Sequence, residues 1–278
     1  MIHCCVGIAA YNEEANIGRT LASVQSLVAD GRGEIIVVDS GSSDRTVEIA
    51  KSHGAKVFVE TWKGYAAQKN SAIEKAAGEW ILSVDADEEV EQDLASLIAF
   101  VISPQTRQPK KELLAAIHGP RISRAEIRGY WMRRRNKFLG KWIEHGGYWP
   151  DPKLRLFRKG AGAFENRAVH EDAQLSGKTA RLLDGALIHH SYPTLTDYID
   201  HMNRYSSLGA EMVAAKRSAR FSVFNIVMRP AATFVYNYVF RLGFLDGREG
   251  LLLHLYHAVY VSWKYAKAWE LARGKNSE

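Results

Sequence analysis

The 278-residue sequence predicts an α/β fold, a mainly parallel sheet carrying helices and followed by a helical C-terminal extension. Three observations carry that expectation. Short apolar runs alternate with helical periodicity through the first hundred residues, the pattern of repeated βα units. Three of the runs end in polar clusters, where open α/β sheets collect ligands. From Thr196 onward the pattern turns helical, and from Phe221 to Trp269 it is rich in aromatic residues.

Strands are expected over 4–10, 34–39, 55–59 and 80–84. Between the first two, Ile17, Leu21, Val24 and Val28 recur at i, i+4, i+7 and i+11, an apolar helical stripe. Ser42 or Ser43 is suited to cap a helix over 45–53, and 65–77 reads as a helix stopped by Gly78. The stretch 103–111, with Pro104 and Pro109, reads as a loop or crossover. Beyond it, 128–135 and 153–158 look like strands and 196–217 like a helix. The expected organisation is a catalytic domain over 1–192, with a nucleotide-binding half (1–102) and an acceptor-side half (103–192), and a helical extension over 193–278.

Composition narrows the function classes. Hydrophobic residues make up 46% of the chain, enough for a substantial core. Cys4 and Cys5 are adjacent in an apolar run and read as small strand hydrophobes, with neither a disulfide framework nor a metal-site spacing. With an N-terminus lacking a basic, cleavable leader pattern, they point to a reducing, cytoplasmic location. Charge is divided unevenly. Residues 1–100 hold 8 Lys/Arg against 16 Asp/Glu, a balance of −8, and the rest holds 29 against 15, a balance of +14. The acidic part suits cations, and the basic part suits phosphate, acidic glycans or an anionic membrane face. No nucleic-acid-binding motif accompanies the dispersed positive charge, so nucleic acid is not an expected partner.

The polar clusters carry the chemistry. Asp85 and Asp87 stand two apart at a strand end, and if the extended backbone continues, both carboxylates project to one face. Two like charges so placed call for a cation, Mg²⁺ or Mn²⁺, which would also bind donor phosphates. Asp39 ends the run Ile35-Ile36-Val37-Val38 and opens a Ser/Gly-rich turn, suited either to a base or ribose or to helix capping. Arg155 and Arg158 each offer a guanidinium fork to phosphate. Trp142, Tyr148 and Trp149 offer flat faces for sugar stacking, with packing the competing role. His189 and His190 follow Ala186-Leu187-Ile188, where a structural role is expected and a metal or phosphate contact is the alternative.

Taken together, Ala10-Tyr11-Asn12-Glu13-Glu14, Val38-Asp39-Ser40-Gly41-Ser42-Ser43-Asp44, Lys69-Asn70 and Asp85-Ala86-Asp87-Glu88 resemble family 2 glycosyltransferases of the GT-A fold. The resemblance implies an inverting transferase with Ala10, Tyr11, Glu13, Asp39, Ser40, Gly41, Lys69, Asp85, Ala86 and Arg155 around the nucleotide sugar. It implies Asp87 as the closest metal ligand, with Asp85 beside it. Further along, Trp142, Tyr148-Trp149-Pro150-Asp151, Leu154-Arg155-Leu156-Phe157-Arg158, Val169-His170-Glu171 and Gly243-Phe244-Leu245-Asp246-Gly247 resemble a narrower branch, the lipopolysaccharide core β-1,4-glucosyltransferases. That branch implies UDP-glucose as donor, a lipid-linked glycan acceptor and Glu171 as the base that takes the acceptor proton, with adjacent Asp172 the alternative.

The C-terminal third is expected to lie on a membrane surface or to pack on the catalytic domain. Arg220, Arg229, Arg241 and a central Pro230 break 221–240 as a spanning helix, and 251–269 contains His254, His257 and Lys264. Two competing functions are weighed. A nucleotidyltransferase ordinarily opens with a Gly-rich basic loop, where this chain has Tyr11-Asn12-Glu13-Glu14. A catalytically silent glycan-binding protein has no need of the full donor set.

Overall fold

The computed structural model describes residues 3–103, 115–119, 124–165, 173–215 and 220–274. Most of the expected loop over 103–111 lies outside them. The described residues form two compact units, the first drawn from those within 3–134, 152–165 and 173–189, the second from those within 135–151 and 190–274. The stretch 135–151 thus associates with the C-terminal helices.

In the first unit, β1 (Cys4–Ala10), β2 (Gly33–Asp39), β3 (Lys56–Val59) and β4 (Trp80–Ser83) are parallel in the order β3-β2-β1-β4. β1 and β2 read as unbroken apolar runs because both faces are covered. Cys4, Val6 and Ile8 point into one core with Ile17, Leu21 and Val24 of α1 (Ile17–Val28), while Cys5 points into another with Ala66 and Ala72 of α3 (Tyr65–Lys75). Both cysteines are free and buried, and burial pushes the Cys4 thiol up to about 12. Within the predicted stripe Val28 is only half-buried, and Leu27 takes the core position at the end of α1. Gly78 follows α3 because a Cβ there would come within 2.9 Å of Cys4 C and Cys5 N.

The sheet continues past β4 with antiparallel strands. β9 (Asp151–Arg158) pairs with β4, and beyond it come β7 (Ile127–Phe138), β12 (Lys178–Tyr192) and β5 (Glu88–Val90), which leads into α4 (Gln92–Ile102); β6 (Ile117–His118) also pairs with β12, and β10 (Gly162–Phe164) pairs with β11 (Ala173–Leu175) apart from this sheet. The parallel half is therefore the part that the alternating βα pattern foreshadowed. The helix α2 (Thr46–Ser52) forms where expected, but neither Ser42 nor Ser43 caps it. Asp44 does so instead, accepting the Thr46 N–H at 3.0 Å, because the serines are engaged with Asp39 and Asn12.

In the second unit, β8 (Lys141–Ile143) pairs with the end of β7, and α5 (Leu195–Ala215) packs on the long helix α7 (Gly247–Gly274). A reciprocal capping box starts α5: the Asp197 N–H donates to Thr194 Oγ1 at 3.1 Å, and the Thr194 N–H donates to Asp197 Oδ2 at 3.2 Å. Phe138, Ile143, Tyr198 and Leu253 centre the core. Buried Asp246 fastens the chain after β8, accepting the backbone N–H groups of Glu144 at 3.1 Å and His145 at 2.9 Å.

Pro230, one of the residues expected to keep 221–240 from spanning a membrane, sits within a helix that it does not interrupt. Helical backbone runs continuously over 223–240, as α6 (Arg229–Val235) flanked by π-turns at Phe224–Met228 and Tyr236–Phe240. A helix-interior proline removes the hydrogen bond to the carbonyl four residues earlier, here Ile226. The Ser262 hydroxyl from α7 donates to that carbonyl at 2.8 Å, and the π-turn relaxes the crowding around the ring. Among the described residues no helix is long and apolar enough to cross a membrane.

Candidate active site

The ends of β1 and β2 coincide, with Ala10 opposite Asp39, and their polar tips interlock. The Asn12 N–H donates to Ser42 Oγ at 2.8 Å, and the Ser43 N–H donates back to Asn12 Oδ1 at 2.9 Å. The Glu13 N–H donates to Thr46 Oγ1 at 2.7 Å, and the Glu14 N–H to Asp44 Oδ2 at 3.1 Å. Asp39 is fully buried and accepts the N–H groups of Gly41 at 2.9 Å and Ser42 at 2.8 Å. Its carboxylate therefore shapes the turn itself, and Gly41 supplies the φ of +87° that the turn requires. Ser40 is held from two sides: its N–H donates to the Ala10 carbonyl at 2.9 Å, and Gln68 donates to its hydroxyl at 2.8 Å. Tyr11 remains exposed at this rim.

The second cluster lies at the end of β4, and there the backbone differs from expectation. The extended run does not continue from Asp85 to Asp87. The chain turns, the Glu88 N–H donating to the Asp85 carbonyl at 3.0 Å, while Thr20 fastens the turn by donating to the Ala86 carbonyl at 2.7 Å. The two carboxylates consequently have separate partners. Asp85 is 2.8 Å from Lys69 Nζ and is also bonded by Arg155. Arg155 is buried between Asp85 and Glu88, 3.0 Å from Glu88 Oε1, and Arg134 reaches the same oxygen at 3.1 Å. Burial opposes charge on Asp85, but Arg155 and Lys69 outweigh it and hold the carboxyl well below its usual range. Asp85 is thus paired with two cationic side chains of the protein.

Asp87 is placed otherwise. Its Oδ2 lies 3.2 Å from His189 Nε2, and this imidazole overcomes the effect of burial to keep the carboxyl ionised. The register explains the approach, since antiparallel pairing of β12 with β5 sets His189 opposite Glu88. His189, expected to be structural with a metal or phosphate contact as the alternative, is thereby brought against Asp87. One carboxylate oxygen and one imidazole nitrogen suit a divalent ion completed by donor oxygens and water. Among the described residues no cluster of three or more His, Cys, Asp or Glu side chains is gathered here. Glu13 completes the acidic rim: burial, reinforced by Asp87, Asp44 and Asp85, pushes its carboxyl up to about 7.

The remaining site residues divide. Arg158 pairs with Glu79 and stacks over Trp80 at 4.6 Å, a packing role that separates it from Arg155. In the second unit, the Arg135 guanidinium lies 5.1 Å from the ring centre of Trp142 and 5.5 Å from that of Trp149. Tyr148 packs edge-on against His254 at 5.8 Å, and burial pushes its phenol up to about 12. The expected base, Glu171, and its neighbour Asp172 lie outside the described residues.

The sequence profile of Glycosyl transferase family 2 matches residues 5–159, spanning the strands, the turns and Arg155. The chain belongs to glycosyl transferase family 2. This glycosyltransferase is 30% identical over 276 residues to the lipopolysaccharide core biosynthesis glycosyltransferase LpsC of Rhizobium meliloti, covering 95% of this chain and 90% of the relative. It is 29% identical over 270 residues to an uncharacterized glycosyltransferase of Rickettsia typhi, covering 94% and 85%. In structure it is similar to a mannosyltransferase of Pyrobaculum calidifontis solved with GDP-Man and Mn²⁺, with a TM-score of 0.55, 14% identity and coverage of 96% and 87%. That likeness shows the GT-A fold.

Proposed function

We propose that this family 2 enzyme transfers a hexose, glucose from UDP-glucose, with inversion to a lipid-linked glycan of the lipopolysaccharide inner-core type, working at the inner face of the cytoplasmic membrane. The observation that carries the donor half is the Asp87–His189 pair, set beside a second carboxylate already neutralised by Lys69 and Arg155. Asp87 and His189 would hold Mn²⁺ or Mg²⁺. Such an ion supplies Lewis-acid neutralisation of the leaving diphosphate. The Mn²⁺ in the Pyrobaculum mannosyltransferase complex supports this reading, and the lipopolysaccharide role in the name of LpsC supports the acceptor class.

The chain's own groups divide the work. Tyr11, Glu13 and the Asp39 turn flank the nucleotide. Lys69 faces the diphosphate from Asp85, and Arg155 positions Asp85. Trp142 and Trp149 receive the acceptor, and the Arg135 held between them favours anionic sugars. Glu171, or Asp172 beside it, accepts the proton of the acceptor hydroxyl as its oxygen bonds to the anomeric carbon. The bond from that carbon to the diphosphate breaks, and the diphosphate leaves with the electron pair.

A thermal-shift screen of nucleoside diphosphate sugars, with and without Mn²⁺, tests the donor assignment. UDP-glucose is expected to stabilise the protein most, and only with the metal. Selective stabilisation by a guanosine-linked sugar would reassign the donor.

A further inference from the structure

The helix over 223–240 carries a repeat that the transferase chemistry does not use. Val223-Phe224, Val227-Met228, Ala231-Ala232, Val235-Tyr236 and Val239-Phe240 are apolar pairs recurring every four residues, and every one of these side chains is exposed. Of the positions between them, Ile226, Pro230, Phe234 and Tyr238 are buried or half-buried and Arg229 is exposed. Tyr238 stacks on Phe234 and meets Phe244 and His254, while Ile226 is held by Ser262. A four-residue repeat overshoots an α-helical turn by roughly 40° each time and would spiral round the helix. The two π-turns, whose hydrogen bonds span one residue more, take up that excess and keep the pairs on one side.

The apolar face extends through exposed Leu242, Phe244, Leu245, Leu251 and Leu255, and most of the large exposed apolar side chains among the described residues fall between Phe221 and Leu255. Apolar surface this contiguous marks an interaction site. Its charge indicates the partner: from Met212 to Leu245 the sequence holds Lys216, Arg217, Arg220, Arg229 and Arg241 and no Asp or Glu. A second copy docked on this face would set these arginines against their own kind, whereas an anionic lipid surface complements them.

We propose that the 223–245 face seats in the headgroup and upper acyl region of an anionic bilayer, lying in the interface rather than crossing it. The apolar pairs insert and the arginines meet lipid phosphates. This deepens the proposed lipid-linked acceptor, but its evidence is the surface itself.

The test is co-sedimentation of the full chain with vesicles of equal parts phosphatidylglycerol and phosphatidylcholine, or of phosphatidylcholine alone, beside light scattering of the protein in solution. The expected results are a monomer, binding to the anionic vesicles at least tenfold stronger than to neutral ones, and at least a tenfold loss in Phe224→Glu/Phe240→Glu with the melting temperature unchanged. Binding by that variant equal to wild type would overturn the proposal, as would a wild-type dimer that the variant dissociates. Donor stabilisation by Mn²⁺ and UDP-glucose, measured without vesicles, reads the transferase assignment separately.

Discussion

His189 Nε2 lies 3.2 Å from Asp87 Oδ2, so the last carboxylate of the Asp85-Ala86-Asp87 turn is matched to an imidazole from a strand a hundred residues later. Removing one of two protein ligands weakens a metal site without dismantling the fold around it. His189→Ala is therefore expected to raise the Mn²⁺ concentration for half-maximal donor stabilisation at least ~10-fold, about 1.4 kcal/mol. Titration of Mn²⁺ at fixed UDP-glucose measures this, and an unchanged midpoint would remove His189 from the metal site.

The Glu13 carboxyl, raised from 4.5 to about 7, makes stability depend on pH. Between those values the unfolded chain releases this proton while the native chain keeps it, so the group's contribution is complete below 4.5 and is lost as pH rises through 7. Glu13→Gln stays neutral at all pH. In metal-free buffer it is expected to melt close to wild type at pH 4.5 and above wild type at pH 8, a crossover that thermal melts at several pH values would show.

Arg155 is buried between Asp85 and Glu88, and Arg155→Met takes one of two cationic partners from each carboxylate, leaving Asp85 to Lys69 and Glu88 to Arg134. Breaking a buried ion pair from one side costs about 3–5 kcal/mol. Urea unfolding is expected to show a loss of that size. Arg155→Lys is not expected to restore it, because an ammonium cannot bridge two carboxylates as a fork does.

Ser262 donates to the Ile226 carbonyl that Pro230 leaves without its helical partner. Ser262→Ala is expected to cost about 1–3 kcal/mol. In a Pro230→Ala background, where a backbone N–H returns, the same change should cost much less. Additive effects in that double-mutant cycle would show that the two residues act independently.

The parallel half of the sheet was legible in the sequence because strands covered on both faces read as apolar runs, and polar tips follow such runs directly. Tyr11, Asp39 and Asp87 could be located that way. His189 could not, since only its register against Glu88 sets it beside Asp87. The separation of Asp85 from Asp87 was hidden for a related reason: the turn that parts them is fixed by Thr20 and Glu88 and not by the Asp-X-Asp spacing. The continuity of the helix through Pro230 was hidden because the hydroxyl that bonds the Ile226 carbonyl belongs to Ser262, 36 positions from Ile226. Local chemistry was readable, and partners brought together by tertiary register were not.

Asp87 is the carboxylate through which a metal is proposed to serve the donor. The most direct measurement is release of UDP from UDP-glucose by wild type and Asp87→Ala, each with Mn²⁺ and with chelator. Wild type is expected to turn over only with the metal, and Asp87→Ala to lose at least ~100-fold, about 2.8 kcal/mol, while keeping its melting temperature. Wild-type turnover by Asp87→Ala, or full wild-type activity in chelator, would contradict it.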